Sequence, residues 1–222
     1  MKRRTLDVLF SAGGLALAVL LLVLGMVMTS NANFAKNYVK DQLGEQQITF
    51  KTADTLTAEE KQSSCLVKYA GQPLLTGKQA ECYANDFIGL HVKTVTTDGA
   101  TYATLGDQQT ALRAQIATTA ATDPNLPALT KKLADMTTQR ETLFKGETLR
   151  GLLLTSFGFS VFGVKGAQVA TVAYIVAALL ALLSIAGMIH ALKTPNDRTF
   201  AAPDKPMNKP DTKPEPKPLI GV

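Results

Sequence analysis

Two long apolar runs, one near each end of the chain, constrain this sequence more than any other feature. The first extends from Val8 to Met28 without an ionisable side chain, and the second is richest from Val169 to Leu192, where only His190 can ionise. At about 1.5 Å of helix rise per residue, each run can cross the roughly 30 Å hydrocarbon core of a bilayer. Lipid offers the backbone no hydrogen-bond partner, so both runs are predicted to be transmembrane α-helices.

The first run has one alternative interpretation, which is a cleaved signal peptide. The basic segment 2–4 precedes the run, and Ser30 and Ala32 beyond it resemble a small-x-small cleavage site. The apolar core of a signal peptide usually has about 7 to 15 residues, fewer than this run has. A retained helix is therefore the favoured interpretation.

Basic residues near the ends of the two runs indicate the orientation. The basic segment 2–4 precedes the first run, and Lys193 and Arg198 follow the second, which predicts that both termini are cytoplasmic. The connecting stretch carries Lys and Arg as well, so the two cysteines are needed to support this orientation. Cys65 and Cys82, the only cysteines, both lie in that stretch and predict one disulfide in an oxidising, extracytoplasmic compartment. Two reduced, buried cysteines on the cytoplasmic side are the alternative.

The stretch between the runs is predicted to be helical. Thr57 with Glu60 and Thr76 with Gln79 both have the spacing of a capping box, and the break at residues 71–73 separates the two helices that they begin. The disulfide would join these helices across that break and stabilise the domain by about 3 kcal/mol. Farther along, apolar stripes on either side of the turn at residues 123–127 predict an αα-hairpin.

An apolar segment at residues 152–166 precedes the second run and contains Phe157, Phe159 and Phe162. It is too short to span a bilayer alone, and it suits a helix at the outer interface. The alternative is that the second transmembrane helix begins early and projects outward. In both cases the three phenylalanines are candidate partner contacts.

The C-terminal tail is rich in proline and lysine, a composition that cannot build a core and favours an extended chain. We predict that it lies along a neighbouring protein through Pro206, Pro210 and Pro214; a disordered tail is the alternative. The fold class is thus an all-α membrane protein, ordered as follows: cytoplasmic N-terminus 1–7, transmembrane helix 8–28, disulfide-stapled extracytoplasmic domain 29–151, interfacial apolar segment 152–166, transmembrane helix 167–192 and cytoplasmic tail 193–222.

The residue inventory predicts no catalytic, cofactor-binding or metal site. His91 and His190 are the only histidines and are predicted on opposite sides of the membrane, and the cysteines lack the spacing of redox or zinc motifs. The net charge of +5 comes from lysines and arginines scattered among acids, which is not the footprint of a nucleic-acid-binding protein. The expected partners are therefore the membrane, its lipids and other membrane proteins.

Three segments, residues 65–73, 76–84 and 143–154, resemble a group of two-span actinobacterial membrane proteins that are often labelled aromatic ring-opening dioxygenases. The dioxygenase label is rejected, because such an enzyme needs two histidines and a carboxylate at one iron. Within the group, the chain resembles respiratory supercomplex association factors. That resemblance implies a plasma-membrane accessory subunit without cofactors, which stabilises or helps assemble the cytochrome bcc and cytochrome aa3 oxidase complexes. A cell-envelope or signalling adaptor with an extracytoplasmic binding domain is the alternative function.

Overall fold

The computed structural model describes residues 2–195, and these residues are helical with no β-strand. The helices are α1 (Arg3–Glu45), α2 (Ser64–Tyr69), α3 (Gly77–Cys82), α4 (Gly89–Lys93), α5 (Tyr102–Thr118) and α6 (Leu126–Lys193), with a 3₁₀ turn at Glu60–Gln62 and a π-helical turn at Tyr83–Ile88. The chain divides into two compact units. The described part of the first is residues 2–22 with 174–195, and the second is residues 23–173.

Helices α1 and α6 each contain an 18-residue window with a mean hydropathy of 2.5, long and apolar enough to span a membrane. Helix α1 continues beyond the first apolar run to Glu45. Helix α6 has 68 residues and includes the return helix of the hairpin, the segment 152–166 and the second apolar run.

Residues 152–166 therefore do not form a separate interfacial helix. They belong to the continuous helix α6, which begins well before the second apolar run. The segment contains glycines but no proline, and the sequence offers no proline between Pro127 and Pro195. A glycine costs a helix about 1 kcal/mol, whereas an internal proline costs about 3 kcal/mol and removes a hydrogen bond. Glycines alone were thus insufficient to break α6.

In the first unit, α1 and α6 pack through small residues. A side chain added at Gly14 would overlap the Ser184 hydroxyl, and one added at Gly187 would overlap the Ser11 hydroxyl. Both serines are buried. Close approach at glycine and serine is typical of helix pairs that lack large apolar side chains at their interface.

The second unit contains a short-element region, residues 48–93, which we call the stapled lobe. Its core contains Leu66, Leu74, Ala80 and Ala84, all buried, packed with apolar residues of α1 and α6. Two antiparallel backbone hydrogen bonds, Phe50 N–H to Gln72 and Leu74 N–H to Ile48, hold the chain segments on either side of α2 together. Thr49 and Pro73 thus form an isolated antiparallel β-bridge.

Helix α5 and the first part of α6 form the predicted αα-hairpin, which we define as residues 102–143. Its separate core contains Leu105, Leu112, Met136 and Leu143, which recur at helical spacing on the two facing helices. Gln109 is buried among them and donates from Nε2 to Thr137 Oγ1 at 2.9 Å. The hairpin core is thus built mainly by leucine stripes.

The two predicted capping boxes have different outcomes. Thr76 and Gln79 cap α3 reciprocally, as predicted. Thr57 and Glu60 also form their two hydrogen bonds, but these begin only the 3₁₀ turn. Ser63 is extended and caps α2 separately through Leu66 N–H. The single helix predicted from Thr57 toward Tyr69 is therefore wrong, because the extended backbone at Ser63 interrupts it.

Candidate functional site

The disulfide between Cys65 and Cys82 is present and joins α2 to α3, with 6.0 Å between the Cα atoms. Cys82 lies in the second turn of its helix, as the sequence predicts. Asp86 lies beside the bridge, where its Oδ2 accepts a hydrogen bond from Ser63 Oγ at 2.7 Å. The same oxygen is 2.8 Å from Cys65 Sγ. A disulfide sulfur carries no proton, so this last approach is a contact and not a hydrogen bond.

Cys65, Cys82 and Asp86 also have the geometry of a metal-ligand cluster, with their ligand atoms within 4.8 Å of one another. A cysteine binds a metal as its thiolate, and a sulfur in a disulfide cannot provide one. The bridge and a metal at these residues therefore exclude each other. In the oxidised chain the cluster is a structural staple.

The most buried charged group of the lobe is Glu60, whose side chain is 0% exposed. Lys51 Nζ donates to both carboxylate oxygens, at 2.8 Å and 3.1 Å, and the backbone N–H of Thr57 donates to Oε2 at 2.8 Å. His91 Nε2 is 3.4 Å from Oε1. The carboxylate thus holds together the segment before the 3₁₀ turn, the turn itself and α4.

Burial of Glu60 by itself raises the pKa of the carboxyl group. The hydrogen bonds from Lys51 and Thr57, with the positive charge of Lys51, outweigh that effect and hold the Glu60 pKa below its usual value. Tyr83 has a raised pKa, first because its ring is half-buried and second because the Glu60 charge opposes a phenolate. The Glu60 carboxylate thus contributes to the Tyr83 shift as well.

The sequence by itself did not predict this network. The spacing from Thr57 indicated Glu60 only as a capping residue, and His91 was noted only as one of two histidines. In the structure His91 faces Glu60 and places its Nδ1 2.7 Å from the Phe87 carbonyl. The Lys51–Glu60 pairing joins residues nine apart in irregular chain, a spacing that no helix or strand period makes visible.

A second candidate site is an exposed cluster of rings, Phe34, Tyr38 and Phe159, which we call the aromatic patch. The Phe34 and Tyr38 rings stack with centroids 5.7 Å apart, and the Tyr38 and Phe159 rings meet edge to face at 5.6 Å. The three side chains are 61%, 49% and 38% exposed. A groove of about 510 Å³, lined in part by Tyr38, Leu152 and Phe159, continues from the patch.

Only one of the three predicted phenylalanine contacts belongs to this patch, namely Phe159. Phe157 is half-buried, and Lys78 Nζ lies 4.8 Å from its ring centroid. Phe162 is 78% exposed. Phe157 and Phe159 are two residues apart and point to nearly opposite sides of α6, because each residue rotates about 100° around a helix. Phe162 is only about 60° around the helix from Phe159. The predicted tail contacts Pro206, Pro210 and Pro214 lie outside the described residues.

The patch includes two rings of α1, Phe34 and Tyr38, that were not among the predicted partner contacts. Their i, i+4 spacing was a usable signal, since residues four apart share one helix face. What the sequence could not show was that Phe159 joins them.

No family model, curated protein or solved structure matches this chain.

Proposed function

We propose that this chain is a two-span membrane protein and a non-catalytic accessory subunit of a respiratory assembly. Its two termini lie in the cytoplasm and residues 29–151 lie on the outer side. In this assembly the chain stabilises or helps assemble the cytochrome bcc and cytochrome aa3 oxidase complexes. The proposal combines the resemblance described above with the surfaces of the molecule.

The exposure of the two apolar windows carries the membrane part of the proposal. The apolar core helix of a soluble protein is mostly buried, whereas only 17% of each window is buried within the chain. Soluble proteins rarely leave contiguous apolar surface of that extent in water. A signal sequence also suits α1 poorly, because the helix continues without interruption to Glu45. Lipid is the environment that satisfies both helices.

The aromatic patch supports the role of a subunit. Tyrosine and phenylalanine are enriched at the buried centres of protein interfaces, where large rigid rings contribute much of the binding energy. The patch lies next to an open groove, and its rings are between 38% and 61% exposed in the isolated chain. A neighbouring subunit that covers the patch would remove this apolar surface from solvent.

The topology is tested through the two cysteines in intact cells. We expect a membrane-impermeant maleimide to label Cys65 and Cys82 only after a membrane-impermeant reductant has opened the bridge. As a control, a C65S/C82S variant with one cysteine at Lys2 should stay unlabelled until the membrane is permeabilised. Labelling of the wild type only after permeabilisation would contradict the outer location of the lobe.

The partner is tested by purification of the tagged full-length chain in mild detergent. Haem-bearing subunits, identified by their absorption spectra, should co-purify, and F34A/F159A should recover several-fold less of them. F144A is the matched control, because Phe144 is 56% exposed but lies outside the patch. Recovery of the chain alone would contradict the proposal. Recovery of envelope or secretion proteins instead would support the adaptor function.

A further inference from the structure

A groove on the second unit runs between the outer part of α1, the loop before α3 and the middle of α6. Its volume is about 580 Å³, and its walls are mainly small or apolar residues such as Ala32, Val39, Gly163 and Val164. Pockets of this size hold small organic ligands. The groove takes no part in the disulfide, the Glu60 network or the aromatic patch.

The charged residues that line the groove are all basic. Lys36 and Lys40 are its only charged lining residues, and both are exposed. Among residues 2–195 neither lysine forms an ion pair. They lie four residues apart, so both ammonium groups are on one face of α1. An apolar cleft with two uncompensated cations fits a ligand that combines a hydrocarbon chain with an anionic head.

The position of the groove along α1 fits the same kind of ligand. Lys36 follows Met28, the end of the apolar run, by eight residues, which is about 12 Å of helix. Side chains on a helix tilt toward its N-terminus, so a lysine on an outward-running α1 reaches back toward the bilayer. Headgroups extend about 5 to 8 Å beyond the hydrocarbon on each side. The Lys36 ammonium group therefore reaches headgroup level, with Lys40 just above it.

We infer that this groove binds an anionic phospholipid of the outer leaflet, with its phosphate between Lys36 and Lys40 and an acyl chain along Gly163 and Ala167. Gly163 lets α6 approach α1 closely beside the groove, since a Cβ there would crowd Ala35. The inference rests on the membrane-spanning part of the proposed function and not on the identity of the respiratory partner.

Native mass spectrometry of the full-length chain in detergent, titrated with dioleoyl phosphatidylglycerol or dioleoyl phosphatidylcholine, tests the inference. We expect the wild type to retain phosphatidylglycerol preferentially and K36Q/K40Q to bind it about thirtyfold more weakly, as two lysines near an anionic lipid would give. K36R/K40R should keep the preference. The control K93Q/K132Q removes two exposed lysines outside the groove and should bind as the wild type does.

Equal retention of the two lipids, or equal phosphatidylglycerol binding by K36Q/K40Q and K93Q/K132Q, would overturn the inference. Displacement of the lipid by inorganic phosphate alone, or a protein segment found crosslinked in the groove, would overturn it too. Carbonate extraction of membranes separates the two proposals. A chain that carbonate releases would contradict the proposed membrane function itself, whereas a retained chain without lipid preference contradicts only the lipid site.

Discussion

The stapled lobe and the hairpin form two separate cores of the second unit by different means. The hairpin has two facing helices whose leucine stripes fill its core, and it needs one buried amide, Gln109. The lobe has helices of five or six residues, too short to be stable alone. It adds a disulfide, a buried Glu60 network and two backbone bridge bonds. Short elements thus require covalent and polar ties where long helices rely on packing.

The largest expected effect on this contrast comes from removal of the disulfide. C65S/C82S should destabilise the lobe by about 3 kcal/mol. Without the bridge, the unfolded chain regains the conformational entropy of the loop that joins two residues 17 apart. Hydrogen exchange of the purified chain in detergent should show faster exchange in α2 and α3 and unchanged exchange in α5. Equal loss of protection in α5 would show that the two cores unfold together.

The second effect comes from Glu60→Gln, which leaves Lys51 without its carboxylate. We expect the lobe to lose about 1 to 3 kcal/mol at neutral pH, measured by the same exchange in α2. The control is E81Q, which breaks the exposed Lys78–Glu81 pair and should cost no more than about 1 kcal/mol. Equal losses of lobe stability in E60Q and E81Q would show that burial of Glu60 adds nothing to the stability from its ion pair.

The same carboxylate predicts a dependence on pH. The folded-state pKa of Glu60 is lowered, so its contribution is complete above the unfolded value of about 4.3 and is lost as pH falls through the folded pKa. Wild-type lobe stability should therefore fall on acidification more than that of E60Q. Asp54 and Asp98 also have lowered pKa values, through hydrogen bonds from Thr52 and Gln108. These two carboxylates are the same in the wild type and in E60Q. Parallel acid profiles would contradict the assignment to Glu60.

A smaller effect is expected from Gln109→Leu in the hairpin. The variant loses the hydrogen bonds with Thr137 and Arg140 but gains apolar contact with the leucine core. Thr137 Oγ1 keeps its bond to the Leu133 carbonyl, and Arg140 keeps its bond from Nε to the Tyr102 carbonyl. The cost should be about 1 kcal/mol or less, read from exchange in α5. A loss of stability larger than that of E60Q would show that the hairpin depends on its buried polar group more than the lobe does.

Effects no larger than about 1 kcal/mol are expected at two helix N-caps, Thr76 before α3 in the lobe and Thr101 before α5 at the start of the hairpin. Thr76→Ala should cost about 1 kcal/mol, because its partner Gln79 is 7% exposed and water cannot replace the lost bond. Thr101→Ala should cost less, since Thr101 and Thr104 are both exposed. Exchange at the first turns of α3 and α5 measures the difference. Equal costs would show that burial of the cap is unimportant.

Features written in local sequence were predicted well. The apolar runs, the hairpin with Leu105 and Leu112, and the cap at Thr76 each depend on residues within one or two helical turns. The disulfide was predicted because the chain has only two cysteines. The helix start at Thr57 was wrong because a capping box specifies hydrogen bonds but not how far the helix continues. The extended Ser63 decided that.

Features that join distant segments were missed. The ion pair of Lys51 with Glu60, and the meeting of Phe34 and Tyr38 with Phe159, depend on how irregular chain and separate helices pack. The predicted phenylalanine group was divided in part for the same reason, because a continuous α6 places Phe157 on the side opposite Phe159.

The sequence by itself determined which segments are helical, long and apolar enough to span a membrane, since helix period and transfer free energy are properties of nearby residues. Only the tertiary structure decided which charges are buried and paired, and which rings and lysines share a surface. Those outcomes depend on contacts between residues far apart in the chain, and no local period records them.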